Sequence, residues 1–410
     1  MTADVSVLEV RLHDQPIGTL TNVGGDRTLF AFNDHYVADR DRPRLSLGFK
    51  DQLGALITAF RPTQTRVMPF FSNLLPEGHM RDYLAERAGV KPVREFFLLR
   101  ALGLDLPGAV TIEPADGEAW PPGSDSHAGD DPDAGRRANA LRFSLAGVQL
   151  KFSAISEASG GLTIPARGIG GSWIVKLPSL RFSGVPENEL SMLTLARLIG
   201  IEVPRAYLLD LDAISNLPGG LGAISGQALV IERFDRLPDG ARVHIEDFAQ
   251  VFGVYPEDKY EKASARNIAA VIAAEGSQAD IAELIRRLTF GTLIGNADMH
   301  LKNWSLIYPD RRTAALSPAY DLVSTIAYLP DKNAALTVSR SKRFDDFSLD
   351  ELEHLAAKAR LPKTLVLDSA RETVALFHEH WRAEKANLPL PADSVRAIER
   401  HLETVPIARS

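Results

Sequence analysis

A short loop late in the chain decides the fold: Gly295-Asn-Ala-Asp298-Met-His-Leu-Lys-Asn303-Trp-Ser305. It follows an amphipathic helical pattern, in which apolar residues recur at i, i+3, i+4 and i+7 from Ile281 to Leu288. The loop sets Asp298 and Asn303 five residues apart. Phosphoryl transfer needs a carboxylate that accepts the proton of the attacking hydroxyl and an amide oxygen that helps to hold Mg²⁺. Taken alone, this spacing is more typical of an ordinary turn with local side-chain hydrogen bonds.

Two residues close to this loop favour phosphoryl transfer over an ordinary turn. Asp321 lies eighteen residues after Asn303 and is predicted to be a second metal-binding carboxylate. Lys302 is predicted to place positive charge beside the transferring phosphate. The sequence therefore predicts Asp298 and Lys302 as catalytic residues, and Asn303 and Asp321 as metal ligands.

A lysine far upstream completes the pattern. Lys176 lies in the short apolar strand 173–177, and a helix is predicted to begin at Glu189, after a turn over residues 185–188. A strand lysine paired with a helix glutamate positions the phosphates of a nucleotide in kinases. Glu187 is an alternative partner for the lysine.

Two further segments fit a nucleotide site less specifically. Residues 144–151 lie between two predicted strands and could cover phosphates with backbone N–H groups, but Gly147 is the one glycine of the segment, which equally fits a plain hairpin. The segment Glu232–Arg236 ends an apolar strand, and its position predicts a hinge between the lobes where backbone groups pair with adenine. The alternative is a strand end that carries a surface salt bridge.

The rest of the chain predicts two lobes behind an N-terminal unit. Alternating strands and two helices indicate an α/β subdomain over residues 1–113, followed by a linker or loop at 114–140 that lacks apolar periodicity. Residues 141–236 are rich in predicted strands with one inserted helix, and residues 237–410 are mainly helical. The predicted class is α+β, with a bilobal arrangement like that of protein kinases.

Composition limits the other possibilities. The 410 residues carry a net charge of −7 and no cysteine, which disfavours a long basic nucleic-acid groove and excludes disulfides and thiolate metal sites. We find no apolar run of about 20 residues and no secretory signal pattern, so we expect a cytoplasmic location and no membrane association.

The motifs, in their order and spacing, resemble the HipA family of type II toxin–antitoxin kinases over nearly the whole chain. The segments that carry the resemblance are Phe71–Glu77, Leu106–Val110, Ser144–Lys151, Ile174–Pro178, Val230–Arg236, Glu246–Phe248, Lys259–Glu261, Asn296–Asn303 and Ala319–Leu322. The family implies a two-lobed serine/threonine kinase that uses ATP and Mg²⁺. It implies Asp298 as the base and Asp321 as the Mg²⁺ ligand. The residues implied at the nucleotide are Ala146, Gly147, Val148, Gln149, Leu150, Lys151, Lys176, Glu189, Glu232, Arg233, Phe234, His300, Leu301, Lys302, Asn303, Tyr320 and Asp321.

The same resemblance implies partners and regulation. Known members phosphorylate aminoacyl-tRNA synthetases and are inhibited by a small helix-turn-helix antitoxin, HipB, which also binds operator DNA; contact with DNA is therefore expected through the antitoxin. Ser144 is implied to be an inhibitory autophosphorylation site. One departure is Leu150, which stands where some members have an acidic residue and could change the nucleotide contacts of the loop.

Two other functions fit parts of the sequence. A small-molecule kinase would share the Asp…Asn…Asp arrangement, but the N-terminal unit has no role there. A non-enzymatic co-repressor that only assists an antitoxin is disfavoured because Lys176, Asp298, Asn303 and Asp321 are all present.

Overall fold

The computed structural model describes residues 6–115, 151–156, 161–164, 171–179, 181–217 and 224–410. Ser144 and residues 146–150 of the predicted nucleotide loop lie outside the described residues, as does nearly all of the predicted linker. Within the described residues the protein combines three sheets with helices, which confirms the predicted α+β class.

The N-terminal unit is an antiparallel sheet packed against helices. Alternation along β1 buries Leu8, Val10 and Leu12 on one face, as the sequence pattern predicts. The sheet has the order β4-β3-β2-β1-β5. Its strands are β1 Ser6–Leu12, β2 Gln15–Asn22, β3 Arg27–Phe32, β4 Thr63–Gln64 and β5 Val110–Pro114. Its helices are α1 Asp34–Ala38, α2 Pro69–Ser72, α3 Gly78–Arg87 and α4 Glu95–Leu102.

The second unit is a sheet of order β10-β7-β6-β8-β11-β9 with one helix against it. Met80 and Tyr83 of α3 join its apolar core, so the N-terminal unit helps to complete this lobe. The strands are β6 Lys151–Ser156, β7 Leu162–Thr163, β8 Trp173–Lys176, β9 Ala206–Asp210, β10 Ile214–Ser215 and β11 Gln227–Glu232. The helix is α5 Val185–Leu198.

Helix α5 begins four residues earlier than predicted. Residues 185–188 form its first turn, and Glu189 lies inside the helix. Pro186 misled the prediction, because proline is as typical of a turn as of the first helical turn, where its missing N–H would have no helical partner. Gly184, in the left-handed region at φ 72°, provides the bend before the helix.

The C-terminal lobe is mostly helical around a large apolar core. A small antiparallel sheet of β12 His244–Asp247, β13 Ser305–Tyr308 and β14 Ala315–Leu316 flanks the loop that follows the helix Gln278–Leu293. The helices are α6 Phe248–Val251, α7 Ala265–Glu275, α8 Gln278–Leu293, α9 Leu349–Ala359, α10 Lys363–Glu384 and α11 Ala392–Leu402. Within the described ranges, no helix is long and apolar enough to cross a membrane.

A buried glutamate joins the N-terminal unit to the C-terminal lobe. Glu246 of β12 is fully buried and accepts hydrogen bonds from Ser46 Oγ at 2.5 Å, from the N–H of Leu47 at 2.8 Å and from the Tyr308 hydroxyl. Burial raises the pKa of the Glu246 carboxyl to about 7, although the three donors act in the opposite direction. The protonation of this carboxyl is thus coupled to the docking of the N-terminal unit.

A second buried joint lies directly after β11. Arg233 and Arg236 share two carboxylates, Asp105 of the N-terminal unit and Asp235, at N–O distances of 2.8–3.1 Å. All four side chains are at most 8 % exposed. The alternative prediction of a surface salt bridge fits Glu232 at the strand end, which lies 4.0 Å from Arg205 in an exposed ion pair. It does not fit Arg233 and Arg236, because packing of the N-terminal unit buries their charges.

Candidate active site

The loop after α8 is built so that one carboxylate projects from a fixed backbone. Gly295, in the left-handed region at φ 64°, turns the chain out of the helix, and the short helix Leu301–Asn303 follows. The Asn303 amide group donates to the backbone oxygen of Asp298 at 2.7 Å. The Asp298 side chain is exposed. The two residues of the Asp-x-x-x-x-Asn pattern therefore lie together, with the carboxylate accessible to a substrate.

Asp321 is the centre of a cluster of charges. It adopts φ 53°, which is uncommon for a residue other than glycine and is typical of strain at functional sites. Its carboxylate accepts from Lys151 Nζ at 2.9 and 3.1 Å and from Lys176 Nζ. Burial opposes ionisation of Asp321, but the two ammonium groups outweigh it and hold the pKa of this carboxyl well below its ordinary value.

Lys176 connects the cluster to helix α5. Its ammonium group also bonds to Glu189, and both side chains are almost fully buried. The predicted strand–helix pair is therefore formed, with Glu189 rather than Glu187 as the partner. Burial alone would lower the pKa of Lys176, but the carboxylates of Asp321 and Glu189 raise it, so the lysine stays charged.

Two aromatic rings lie close to each other, one of them on the residue that precedes Asp321. Phe234, in the predicted adenine segment, lies 5.9 Å from the ring of Tyr320, measured between centroids. The Tyr320 hydroxyl donates to the backbone oxygen of Lys302 at 2.8 Å and lies 2.5 Å from Ser305 Oγ. His300 is buried, which, with the nearby charge of Lys259, lowers its pKa to about 4. At neutral pH its imidazole is therefore uncharged.

Two backbone N–H groups of the predicted adenine segment already donate hydrogen bonds to other parts of the backbone. Glu232 donates to the Arg205 carbonyl and Arg233 to the Ser172 carbonyl, each at 2.8 Å. The Arg233 side chain belongs to the buried joint with Asp105 and Asp235. A role of residues 232–234 at adenine stays a prediction, and it would depend on their other backbone groups and on the ring of Phe234.

Lys302 takes an unexpected set of partners. Its ammonium group donates to the Asn73 carbonyl at 2.9 Å and lies 2.9 Å from Glu77 Oε1, both in the N-terminal unit. It is 4.0 Å from Asp247. The predicted position of Lys302 beside the transferring phosphate stays a prediction, and in this state its charge is balanced by the N-terminal unit.

Three residues of the site were not predicted: Glu77, Lys259 and Tyr260. The Tyr260 hydroxyl donates to Asp298 Oδ1 at 2.6 Å, and Lys259 Nζ donates to Glu77 Oε2 at 2.7 Å. Their signal in the sequence was the presence of segments 71–77 and 259–261 among the motifs of the resemblance. No spacing rule connects those segments to the loop around Asp298.

The oxygen and ammonium groups fit a nucleotide with its divalent cation. Asp321 offers a carboxylate and Asn303 an amide oxygen, and hard oxygen ligands of this kind suit Mg²⁺, which usually completes its shell with phosphate oxygens and water. The described residues contain no group of three or more His, Asp or Glu side chains that could hold a metal without such help. Lys151 and Lys176 place two positive charges beside Asp321, where phosphate oxygens could replace one carboxylate contact.

Comparison with known proteins gives consistent matches. The family "HipA N-terminal domain" matches residues 8–113, and "HipA-like C-terminal domain" matches residues 143–381. The protein named "Putative kinase Y4dM", from Sinorhizobium fredii, is 61% identical over 99% of this chain and 98% of its own length. "Serine/threonine-protein kinase toxin HipA" of Shewanella oneidensis is 28% identical over 85% of this chain and 82% of its own length.

A solved structure matches the whole architecture. It is the Shewanella oneidensis toxin–antitoxin complex of HipA, HipB and operator DNA, with a TM-score of 0.73 at 23% identity. The match covers 98% of this chain and 96% of the other. This likeness confirms the predicted bilobal, kinase-like fold.

Proposed function

The chain belongs to the HipA family of toxin–antitoxin kinases, and from that premise we propose that it is an ATP-dependent serine/threonine protein kinase whose activity halts growth. The observation that best supports catalysis is the ion-paired chain from Glu189 through Lys176 to Asp321. It links strand, helix and cleft in the arrangement that positions nucleotide phosphates in kinases. An inert co-repressor would have no need of this costly group of buried charges.

Each residue has a role in the proposed transfer. ATP supplies the γ-phosphoryl group, and bound Mg²⁺ would offset part of the negative charge of the phosphates. Asp298 orients the serine or threonine hydroxyl and accepts its proton while the hydroxyl oxygen bonds to the γ-phosphorus. The bond from that phosphorus to the β,γ-bridging oxygen breaks, and ADP leaves. Asp321 and Asn303 would hold Mg²⁺, and Lys176 would contact the phosphates.

Replacing the proposed base is the direct test of this function. The wild-type chain and Asp298→Asn are incubated with γ-labelled ATP, alone and in cell extract. We expect wild-type protein to label itself and one or a few proteins, and the variant to be about 10²- to 10⁴-fold slower while binding Mg·ATP with unchanged affinity. Near-normal labelling by the variant would exclude Asp298 as the base. Labelled metabolites without labelled proteins would instead support a small-molecule kinase.

The substrate and the inhibitor are proposed from the family. We expect an aminoacyl-tRNA synthetase among the labelled proteins and a helix-turn-helix antitoxin of the HipB type as the inhibitor. The solved HipA structure is a complex with HipB and operator DNA, which supports this pairing. Expression of this chain alone should arrest growth, and co-expression of the antitoxin or the Asp298→Asn change should relieve the arrest. Growth unaffected by the wild-type chain would contradict a toxin.

Autophosphorylation of Ser144 is the proposed self-inhibition. Phosphate adds about −1.5 to −2 charges next to the predicted nucleotide loop, and these would repel ATP phosphates or attract an arginine such as Arg142. Mass spectrometry of protein from cells should find phosphate on Ser144 in the wild type and none in Asp298→Asn. Equal Mg·ATP affinity of the phosphorylated and unphosphorylated forms would contradict the inhibitory role, even if the phosphate were found.

A further inference from the structure

A carboxylate of the N-terminal unit lies against the segment that carries the proposed base. Glu77 lies between two lysines of the C-terminal lobe, with Oε2 2.7 Å from Lys259 Nζ and Oε1 2.9 Å from Lys302 Nζ. One lysine precedes the tyrosine that bonds to Asp298, and the other lies in the loop of Asp298 itself. The N-terminal unit is therefore in ionic contact with two segments, one that carries the proposed base and one that carries the tyrosine bonded to it.

The segment that carries Glu77 is fixed to the C-terminal lobe. The Asn73 amide group donates to the Val254 carbonyl at 2.8 Å, and the Asn73 carbonyl accepts from Lys302 at 2.9 Å. Gln250 Nε2 donates to the Phe70 carbonyl at 3.0 Å. Within the N-terminal unit, Arg81 Nε of α3 donates to the Pro76 carbonyl at 2.8 Å. Glu77 thus follows a segment that is bonded to the C-terminal lobe, and the turn that carries it is held to its own helix.

The contacts continue from Glu77 to the reactive carboxylate. Lys259 Nζ lies 5.5 Å from the ring centroid of Tyr260, and the Lys259 carbonyl accepts from the Leu301 N–H at 3.3 Å. The ring of Tyr260 meets the ring of His300 edge-on at 4.9 Å, and its hydroxyl donates to Asp298 Oδ1 at 2.6 Å. With one carboxylate oxygen held by Tyr260, the orientation of Asp298 depends on where the segment 259–260 lies.

The charge of Glu77 is maintained by the same contacts. Burial disfavours its ionised form, but Lys302 and Lys259 outweigh burial and lower its pKa to about 2. Glu77 is therefore ionised throughout the pH range in which a kinase operates. Without this charge, the two lysines would repel each other across the cleft.

We propose that Glu77 is a positioning residue for phosphoryl transfer: it fixes Lys259 and Lys302 and, through the neighbouring Tyr260, the orientation of the Asp298 carboxylate. The inference depends on the proposed kinase function. It makes the N-terminal unit part of the catalytic machinery, because Glu77 is the one carboxylate among the described residues that pairs with both lysines. The effect of losing Glu77 should fall on turnover and leave nucleotide binding nearly unchanged.

The test replaces the charge with little change in shape. Glu77→Gln should lower kcat about 10- to 100-fold, because small misplacements of a catalytic group cost this much in rate, and should leave the KM for ATP within about twofold. Glu77→Asp keeps the charge on a shorter side chain and should recover part of the kcat. The matched control is Asp26→Asn, since Asp26 is also in an ion pair of the N-terminal unit and both side chains are 34% exposed. It should keep the kcat of the wild type.

A variant of the residue paired with Glu77 keeps the test informative if Glu77→Gln lowers the stability of the fold. Lys259→Gln breaks the same contact from the other lobe, and the double variant with Glu77→Gln should lose less than the product of the two single losses, because the two side chains act as one unit. If the losses in kcat of the two single variants were independent, or if Glu77→Gln kept the kcat of the wild type, the inference would be overturned and the proposed function would not. The inference would also fail if kcat and the melting temperature fell as much in Asp26→Asn as in Glu77→Gln. A wild-type chain that transfers no phosphate from ATP would overturn the proposed function, and the inference with it.

Discussion

At the scale of single residues, Asp321 combines an unusual backbone conformation with a charge that pairs with two lysines. Asparagine tolerates φ 53° and removes the charge, so Asp321→Asn tests the charge without added strain. We expect the affinity for ATP to fall about tenfold or more with Mg²⁺ present, because the proposed metal ligand is lost. In EDTA the affinity should be equal or higher, because a negative charge beside the triphosphate has gone. Nucleotide titrations in the two buffers measure this contrast, and equal effects in both would contradict the metal role.

Sequence reasoning identified the residues whose partners are set by local geometry. Lys176 and Glu189 are thirteen residues apart on a strand and the next helix, and that short connection alone limits where the two can meet. Tyr260 and Asp298 are 38 residues apart, and Glu77 and Lys259 are 182 apart. Those contacts depend on how separately formed units dock, and the residue pattern carries no information about the docking.

At the scale of elements, the strand β12 carries a carboxyl whose protonation affects stability. The pKa of Glu246 is raised from 4.5 to about 7, which corresponds to about 3 kcal/mol of unfolding free energy. Because the folded state favours the protonated form, this contribution is complete below pH 4.5 and is lost as the pH rises to about 7.

Glu246→Gln should remove that dependence on pH. The glutamine oxygen can accept from Leu47 and Tyr308, and its NH₂ group can donate to Ser46 Oγ, so the contacts are retained. Urea unfolding at pH 4.5 and pH 7.5 should show the variant gaining about 3 kcal/mol relative to the wild type at the higher pH. If the difference in unfolding free energy between the two proteins were the same at both pH values, the raised pKa of Glu246 would be contradicted.

Some helices and strands could be placed from the sequence, whereas the start of one helix could not. The apolar stripe of α8 and the alternation of β1 were sufficient to place both elements, because packing against a core repeats a simple period. The start of α5 was misplaced because Pro186 is compatible with both turn and helix, and the choice between them is made by Gly184 and by burial of the first turn.

At the scale of the whole molecule, the buried joint of Asp105, Asp235, Arg233 and Arg236 holds the N-terminal unit against the end of β11. Asp105→Asn leaves two buried arginines with one carboxylate. We expect a loss of about 3–5 kcal/mol in unfolding free energy, because an uncompensated buried charge is costly. Urea unfolding measures the loss.

A second substitution provides the control for this joint. Asp105→Asn combined with Arg236→Gln restores the balance of one arginine and one carboxylate, and should recover part of the stability lost by Asp105→Asn alone. If the double variant were as unstable as the sum of the two single variants, charge balance would not be what stabilises the joint.

The joints also have a consequence for the order in which the protein forms. The five-stranded sheet closes through β1 and β5, so it can fold once about 115 residues have left the ribosome. The contacts of Glu246 with Ser46 and of Lys259 with Glu77 close loops of 200 and 182 residues, and such closures are slow steps. We expect the catalytic cleft to assemble last, after synthesis of the C-terminal lobe. For the proposed kinase, we therefore expect a nascent chain to be inactive, and the proposed antitoxin, if made at the same time, would have the whole of translation and folding in which to accumulate.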